Sequence, residues 1–167
     1  EYRGYDSSGI VTIHDSAIAL QRAVGKLVNL DLALKETPLL GDIGIGHTRW
    51  ATHGGVSTEN AHPHVASGRV AIVHNGIIEN HRTIRARLEA AGHQFASDTD
   101  SEVLAHLFVE AFDAGLDPAM ATRQVLDEID GAYAFAVMAI DHPDLLIVAR
   151  NASPLALGIG DDACYIG

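Results

Sequence analysis

The sequence predicts an α+β protein in which antiparallel sheets are packed by helices. Strand-like segments come first, helical segments occupy the middle of the 167 residues, and strand-like segments return at the end. The strands within each group are joined by short connections, which favour antiparallel pairing. The sequence contains neither a GxGxxG nor a Walker A motif, so a doubly wound nucleotide-binding fold is not indicated. The length fits one domain.

The first 68 residues contain three predicted strands, one helix and a long loop. The first strand is indicated by apolar and β-branched residues, the second follows as its hairpin partner, and the third is interrupted by glycines. Apolar residues at helical spacing indicate the helix. Gly, Ser, Asn, Pro and His dominate the loop. The predicted strands cover 9–15, 17–25 and 41–50, the helix covers 26–36, and the loop covers 51–68.

The middle of the chain is predicted to hold one strand followed by three helices. The strand over 69–76 ends in Asn75-Gly76, a dipeptide that favours a tight turn. Asn80 is a candidate N-cap, Gly92 a candidate stop, and Pro118 stands near a first helical position. The predicted helices cover 80–92, 97–115 and 117–130.

The last segments return to strands. The nearly all-apolar segment 131–141 predicts a strand that is buried on both faces. Its predicted hairpin partner is 144–151, reached across His142-Pro143, and the segments 154–160 and 163–167 continue the strand pattern.

Charge and cysteine content narrow the function classes. The net charge is −11 with a pI near 5.2, which argues against a nucleic-acid partner because phosphate binding needs clustered Lys and Arg. No apolar run is long enough to span a bilayer. Cys164 is the only cysteine, which fits a reducing compartment. These features predict a cytoplasmic protein without a membrane partner.

Histidines suggest a metal site first. Five of the ten histidines fall between positions 47 and 74. Their spacing matches neither HExxH nor a CxxC-containing zinc site, and no carboxylate is spaced to complete one. We therefore expect no metal and keep the histidine metal site as an alternative that elemental analysis decides.

A second candidate is a site for an amino acid. The Asn75 amide and the Gly76 N–H are donors of the kind that stabilise an oxyanion. Arg49 can bind a carboxylate with its planar guanidinium, and Asp100 can accept an ammonium group. Each residue has a simpler interpretation: a turn for Asn75-Gly76, a structural ion pair for Arg49, and a helix cap for Asp98 or Asp100.

Five segments carry a resemblance to a known family. They are "EYRGYDSSGI", "HTRWATHGG", "NAHPH", "HNGIIENH" and "SDTDSE". In this order and at these separations they closely resemble the glutaminase domain of the glucosamine-6-phosphate synthases, also called glutamine–fructose-6-phosphate aminotransferases (isomerising), which are class II glutamine amidotransferases. The resemblance covers residues 1 to about 160.

The resemblance implies an N-terminal-nucleophile hydrolase-like, four-layer αββα sandwich with antiparallel sheets. It implies hydrolysis of L-glutamine to L-glutamate and ammonia without a cofactor. The ammonia would serve glucosamine 6-phosphate synthesis from fructose 6-phosphate on the enzyme's own C-terminal sugar-phosphate isomerase domain. The full-length enzyme is expected to be a homodimer.

The resemblance also assigns the substrate-binding roles. Arg49 would bind the α-carboxylate of glutamine and Asp100 its α-ammonium group. Asn75 and the Gly76 N–H would form the oxyanion hole.

Four further residues receive roles from the same resemblance. Thr52 and His53 would line the pocket, largely through backbone groups. Trp50 would lie near the loop that gates the pocket. Arg3 would support the neighbourhood of the nucleophile.

The nucleophile is where the sequence departs from the family. The family nucleophile is an N-terminal cysteine upstream of the YRGYDS motif, whereas this sequence begins inside that motif at Glu1, and Cys164 does not match it. We expect residues 1–167 to be one glutaminase domain, a fragment without its first strand and with little activity alone. Two alternatives are a glutamine- or glutamate-binding module without turnover and a glutaminase domain that serves another acceptor.

Overall fold

The structure is a computed structural model that describes residues 5–50 and 54–167. Arg3, Thr52 and His53 lie outside these ranges. Across the described residues, nine strands and four helices form two main antiparallel sheets and one small hairpin.

The first sheet has three strands in the order β2-β1-β3. It contains β1 (Ser7–His14), β2 (Ala17–Val24) and β3 (Ile43–Arg49). The register places Gly9 of β1 opposite His47 of β3. Helix α1 (Leu27–Glu36) follows β2 and packs mainly against β2 and β1.

The second sheet has four strands in the order β4-β5-β6-β7. Three helices pack against it, and the small hairpin follows it in sequence. The strands are β4 (His64–Ala66), β5 (Val70–Ile78), β6 (Gly131–Ala139) and β7 (His142–Asn151); the helices are α2 (His81–Ala90), α3 (Glu102–Asp113) and α4 (Pro118–Glu128); the hairpin is β8 (Leu157–Ile159) with β9 (Cys164–Ile166).

Two apolar clusters hold these layers together. One lies between the sheets, where Val11 and Ile45 meet Ala71 and Met138. The other lies between the second sheet and helices α2–α4 and is centred on α3, with Phe108 fully buried. Strand β6 contributes to both clusters, so the prediction that it is buried on both faces is confirmed. The layers therefore follow the order helices, sheet, sheet, helix.

The prediction that Asn75-Gly76 ends its strand in a tight turn is wrong. Strand β5 continues to Ile78, and Gly76 pairs with Tyr133 of β6 inside the ladder. Gly76 has φ of +130°, a conformation that glycine adopts easily. Gly76 does adopt an unusual backbone conformation, but pairing with β6 keeps β5 a continuous strand on both sides of it.

Three other boundaries differ from the predictions. Strand β4 lies inside the predicted loop 51–68 because it pairs with β5. The turn between β6 and β7 occupies residues 140–141, so His142-Pro143 opens β7 instead of forming the turn. The helix predicted over 97–115 begins only at Glu102, since the preceding residues are held in another conformation by side-chain hydrogen bonds.

The predicted helix ends are largely confirmed. Asp117 caps α4 by accepting hydrogen bonds from two backbone N–H groups, and Pro118 is the first helical residue. Gly92 follows α2 with a positive φ. Asn80 precedes α2, but its side chain bonds the backbone of Glu128 and Asp130 and does not cap the helix.

Candidate active site

A cavity of about 500 Å³ opens where β3 and β5 meet the segment that precedes α3. Five of the eight residues that the resemblance selected line it: Arg49, Trp50, Asn75, Gly76 and Asp100. Residues from three separate parts of the sequence therefore meet at one site. Nothing in the described ranges bears on Arg3, Thr52 and His53, whose roles stay predictions.

Arg49 ends β3 with its guanidinium buried. The residue is 3% exposed. Its Nη1 donates to the Gly55 carbonyl at 3.2 Å and its Nη2 to the Gly54 carbonyl at 3.3 Å. Nη1 also lies 3.6 Å from Oδ1 of Asp6. The guanidinium is therefore held in a fixed place in the cavity wall, and its binding of a carboxylate stays a prediction.

Trp50 follows Arg49 at the mouth of the cavity. It lines the cavity but is 65% exposed. To cover a molecule bound in the cavity, the Trp50 side chain would have to move. Its role near a gate stays a prediction.

Asn75 and Gly76 lie side by side on β5. A Cβ atom at Gly76 would lie 2.0 Å from the Ala132 carbonyl oxygen of β6, so any other residue would collide with the backbone. Asn75 Oδ1 lies 2.8 Å from Nε2 of His47 in a hydrogen bond. The two predicted oxyanion donors are thus held by different neighbours, one by backbone packing and one by a side chain.

Asp100 is buried where the segment before α3 meets the end of β5. Its Oδ2 accepts a hydrogen bond of 2.8 Å from the backbone N–H of Ile78, the last residue of β5. The N-cap residue of α3 is Ser101, whose side chain makes no capping hydrogen bond. Asp100 lies one residue before this position, and its carboxylate joins the segment before α3 to β5.

Glu102 fixes the segment that carries Asp100. It is 1% exposed and accepts hydrogen bonds from the backbone N–H groups of Ala96 and Ser97 and from the Ser97 hydroxyl, at 2.6–2.8 Å. Burial by itself raises the pKa of Glu102, but the nearby His106 ring, whose Nε2 lies 3.7 Å from Oε1, and these hydrogen bonds lower it to about 2. An ionised carboxylate with several donors is strongly bound in place.

Histidines surround the polar side of the cavity. His47, His62 and His74 line it, and His64 packs against the His62 ring at a centroid distance of 4.4 Å. Burial lowers the pKa of His74 to about 4, which Asp100 partly opposes, and the pKa of His64 to about 3, which Glu102 partly opposes. At neutral pH His64 and His74 are uncharged, and each shares a hydrogen bond with a neighbouring hydroxyl, that of Thr99 for His64 and that of Ser101 for His74.

The sequence suggests only a metal-binding role for His47, His62, His64 and His74. Across residues 5–50 and 54–167, no group of three or more possible ligands is placed to hold a metal ion. The contact between His47 and Asn75 was missed because 28 residues separate them in sequence. No local signal in the sequence could have found it, because β3 and β5 belong to different sheets that pack against each other.

The comparison with family models decides the family. Residues 47–166 match the model of the glutamine amidotransferase domain. The chain belongs to this family. The match begins at His47 and includes every described residue of the predicted site.

Relatives of this amidotransferase domain are much longer proteins. The chain is 55% identical over its whole length to the glutamine–fructose-6-phosphate aminotransferase [isomerizing] of Zymomonas mobilis and 53% identical to that of Mesorhizobium japonicum. It spans 27% of the length of each. The resemblance found in the sequence is confirmed by these matches.

A solved structure shows the same fold. The amidotransferase domain superposes on the glutamine phosphoribosylpyrophosphate amidotransferase of B. subtilis, complexed with ADP and GMP, with a TM-score of 0.81 and 28% identity. The match covers 99% of this chain and 36% of the other. The predicted α+β, N-terminal-nucleophile-type fold is confirmed. No helix in the described part of the chain is both long and apolar enough to cross a membrane.

Proposed function

We propose that this domain hydrolyses L-glutamine to L-glutamate and ammonia. The observation that carries the proposal is the single cavity that brings Arg49, Asn75, Gly76 and Asp100 together. A guanidinium and a carboxylate match the two charged groups of an α-amino acid, and two neighbouring donors match a developing oxyanion.

The chemistry follows from this arrangement. A nucleophile adds to the side-chain carbonyl carbon of glutamine, and the electron pair of the C=O bond moves to the oxygen. The Asn75 amide and the Gly76 N–H would stabilise that oxyanion. When it collapses, the C–N bond breaks, and the leaving nitrogen takes the proton that the nucleophile gave up and departs as ammonia. Water then attacks the acyl intermediate, which releases glutamate and restores the nucleophile. Donors that are held in place before the reaction need no rearrangement as the charge develops.

The family resemblance assigns the nucleophile to an N-terminal cysteine upstream of the YRGYDS motif. Cys164 does not take this place, because it lies exposed on β9 and is not part of the cavity wall. The free α-amine of such a cysteine has a pKa of about 7.7–8.0, which suits a general base at neutral pH.

We further propose that the domain serves a larger aminotransferase of the kind to which it is similar. The ammonia would then be used on fructose 6-phosphate to make glucosamine 6-phosphate, in a full-length homodimer in the cytoplasm. The chain length of the relatives supports this, since the chain spans only 27% of them. A different acceptor remains a second candidate, favoured by the similarity to the phosphoribosylpyrophosphate amidotransferase.

Binding of glutamine to Asp100 can be tested with a matched pair of variants. Asp100→Asn removes the charge that would face the ammonium group, whereas Asp98→Asn removes a neighbouring carboxylate that is exposed and outside the cavity. Loss of one charge-assisted hydrogen bond should weaken glutamine binding roughly tenfold to a hundredfold in Asp100→Asn and leave Asp98→Asn unchanged. Calorimetry with L-glutamine measures both, and equal affinities in the two variants contradict the assignment.

Activity is tested by a glutaminase assay on the full-length protein and on residues 1–167. Glutamate released by the full-length protein supports the hydrolase. Glutamine binding without any release supports the binding-module alternative. Activity in residues 1–167 alone would contradict the expectation that the nucleophile lies upstream.

A further inference from the structure

We infer that His47 is a positioning residue that holds the Asn75 carboxamide with its Nδ2 group facing the cavity. The inference deepens the proposed function and rests on it, because it explains why Asn75 acts as a donor at the site. The contact that carries it is the 2.8 Å hydrogen bond between His47 Nε2 and Asn75 Oδ1.

The orientation of the carboxamide decides whether Asn75 can stabilise an oxyanion. One side of the group is an oxygen that only accepts hydrogen bonds, and the other is an NH₂ group that only donates them. Asn75 is exposed on its strand, so packing alone does not select one orientation. A partner that must donate to Oδ1 does select it, because Nδ2 is then directed away from that partner.

His47 acts as this donor only in one of its two neutral tautomers. In the Nε2–H tautomer the ring donates to Oδ1 of Asn75. In the Nδ1–H tautomer the bare Nε2 would instead accept from Nδ2 of Asn75, and the carboxamide would turn its oxygen toward the cavity. An oxygen there would repel an oxyanion. The tautomer of His47 therefore sets the function of Asn75.

The surroundings of His47 favour the Nε2–H tautomer. Its Nδ1 is buried and has no hydrogen-bond partner among the described residues. A proton on Nδ1 would leave a buried donor unsatisfied, which proteins avoid more strictly than an unsatisfied acceptor. His62 does not supply the missing acceptor, since within the described ranges both of its ring nitrogens also lack hydrogen bonds.

Burial also keeps His47 neutral. Burial lowers the pKa of His47, the hydrogen bond with Asn75 partly opposes this, and the nearby Arg49 lowers it further. A neutral imidazole carries a single N–H group, so at neutral pH the nitrogen that carries it decides whether His47 donates to Asn75.

The fold holds the His47 ring in place. His47 lies on β3 opposite Gly9 of β1, and the His62 ring packs against it at a centroid distance of 4.4 Å. A Cβ atom at Gly9 would lie 2.2 Å from the His62 carbonyl oxygen, so only glycine allows this approach. Arg22 also donates to the Ala61 carbonyl at 3.0 Å and fastens the segment that carries His62.

The kinetic test uses two isosteric substitutions in the full-length protein. The amide nitrogen of glutamine can occupy the place of histidine Nε2, and that of asparagine the place of Nδ1. His47→Gln should therefore keep a donor to Asn75, whereas His47→Asn should lose it. Both substitutions introduce the same functional group, which makes each a control for the folding of the other.

We expect His47→Asn to lower kcat for glutamine hydrolysis by roughly 10–100-fold with KM changed less than about threefold, because an oxyanion donor is lost and binding groups are not. His47→Gln should recover most of that kcat. Equal kcat values in the two variants, or a change in KM alone, would overturn the inference.

A spectroscopic test is independent of activity. The ¹⁵N shifts of the full-length protein with ¹⁵N-labelled histidine report which ring nitrogen of His47 carries the proton, and the signal that is missing in His47→Gln identifies it. We expect Nε2–H, and an Nδ1–H tautomer overturns the inference. A wild-type protein that does not hydrolyse glutamine defeats the proposed function, whereas this measurement still decides which tautomer of His47 faces Asn75.

Discussion

Helix α3 borders two buried regions that are built in opposite ways. Its Phe108 and Leu104 lie in the apolar cluster against the second sheet. Its Glu102, at the start of the helix, is as deeply buried but accepts hydrogen bonds from the segment before the helix. Apolar burial stabilises without requiring a direction, whereas polar burial costs free energy unless each group finds a partner.

The difference shows where the protein tolerates unsatisfied groups. Buried polar atoms without a hydrogen-bond partner in the described residues belong mostly to the histidines beside the cavity and on α3. The apolar cluster has no such conflict because its side chains, apart from the Tyr133 hydroxyl, carry no hydrogen-bonding groups. The polar region therefore fixes geometry for the site, and the apolar region supplies stability.

Removing the largest apolar group from the core should have the largest effect on stability. Phe108→Ala leaves a cavity in the fully buried cluster and should lower the free energy of unfolding by about 3–5 kcal/mol. Urea denaturation followed by circular dichroism measures the change. Leu32→Ala on α1, where the side chain is 54% exposed, is the control, with an expected change within about 0.5 kcal/mol. A similar loss in both variants would contradict the division into two regions.

A nearly isosteric change in the polar region tests the value of directed hydrogen bonds. Glu102→Gln replaces one carboxylate oxygen by an NH₂ group that faces backbone donors. The lost charge-assisted bonds should cost about 2–3 kcal/mol at pH 7. Glu89→Gln breaks only an exposed ion pair with Arg85 on α2 and should cost about 0.5 kcal/mol or less. An unchanged denaturation midpoint in Glu102→Gln would show that this carboxylate does not hold the segment.

Acid should weaken the polar region before the apolar one. Burial lowers the pKa of His64 to about 3, below the value near 6.5 of an unfolded chain. Between these values the unfolded chain binds a proton that the folded chain does not, so stability falls as pH falls below about 6.5. From pH 7 to pH 5 this one residue should account for about 2 kcal/mol.

Urea denaturation at pH 7 and pH 5 measures that loss. His64→Gln should reduce the difference between the two pH values, while His14→Gln at the exposed end of β1 is the surface control. The prediction is wrong if the pH dependence of His64→Gln equals that of the wild type.

The smallest effect is expected where a directed hydrogen bond is exposed to water. Asp117 accepts two backbone hydrogen bonds of 2.9 Å at the start of α4, and Asp117→Ala should cost about 1 kcal/mol. Asp117→Asn keeps an acceptor and should cost only about 0.3 kcal/mol. Thermal denaturation compares the two. If Asp117→Ala costs as much stability as Glu102→Gln, burial does not explain why the hydrogen bonds of Glu102 contribute so much free energy.

Much of the secondary structure could be predicted because it depends on local periodicity. The apolar run of β6 and the Asp117-Pro118 start of α4 are signals contained in a few neighbouring residues. The start of α3 could not be predicted in this way. Residues 97–101 look like the first turn of a helix, but hydrogen bonds to Glu102 and Asn60 hold them elsewhere.

The candidate site, like the secondary structure, could be predicted from the sequence only in part. The residue types of Arg49, Asn75 and Asp100 indicate amino-acid chemistry, and the order of the motifs along the chain is enough to indicate the family. Sequence could not show that Asp100 binds the backbone of β5, nor that His47 contacts Asn75. These contacts join residues 22 and 28 positions apart, and only the tertiary fold brings them together.

The sequence by itself determined the fold class, the elements with strong local periodicity, and which residues are proposed to carry the chemistry. The tertiary structure decided the conformation of Asn75-Gly76. The dipeptide favours a turn locally, but nine residues of pairing between β5 and β6 keep it inside the sheet. The physical reason is that a local preference is worth little against a long ladder of hydrogen bonds and the burial of the strands that form it.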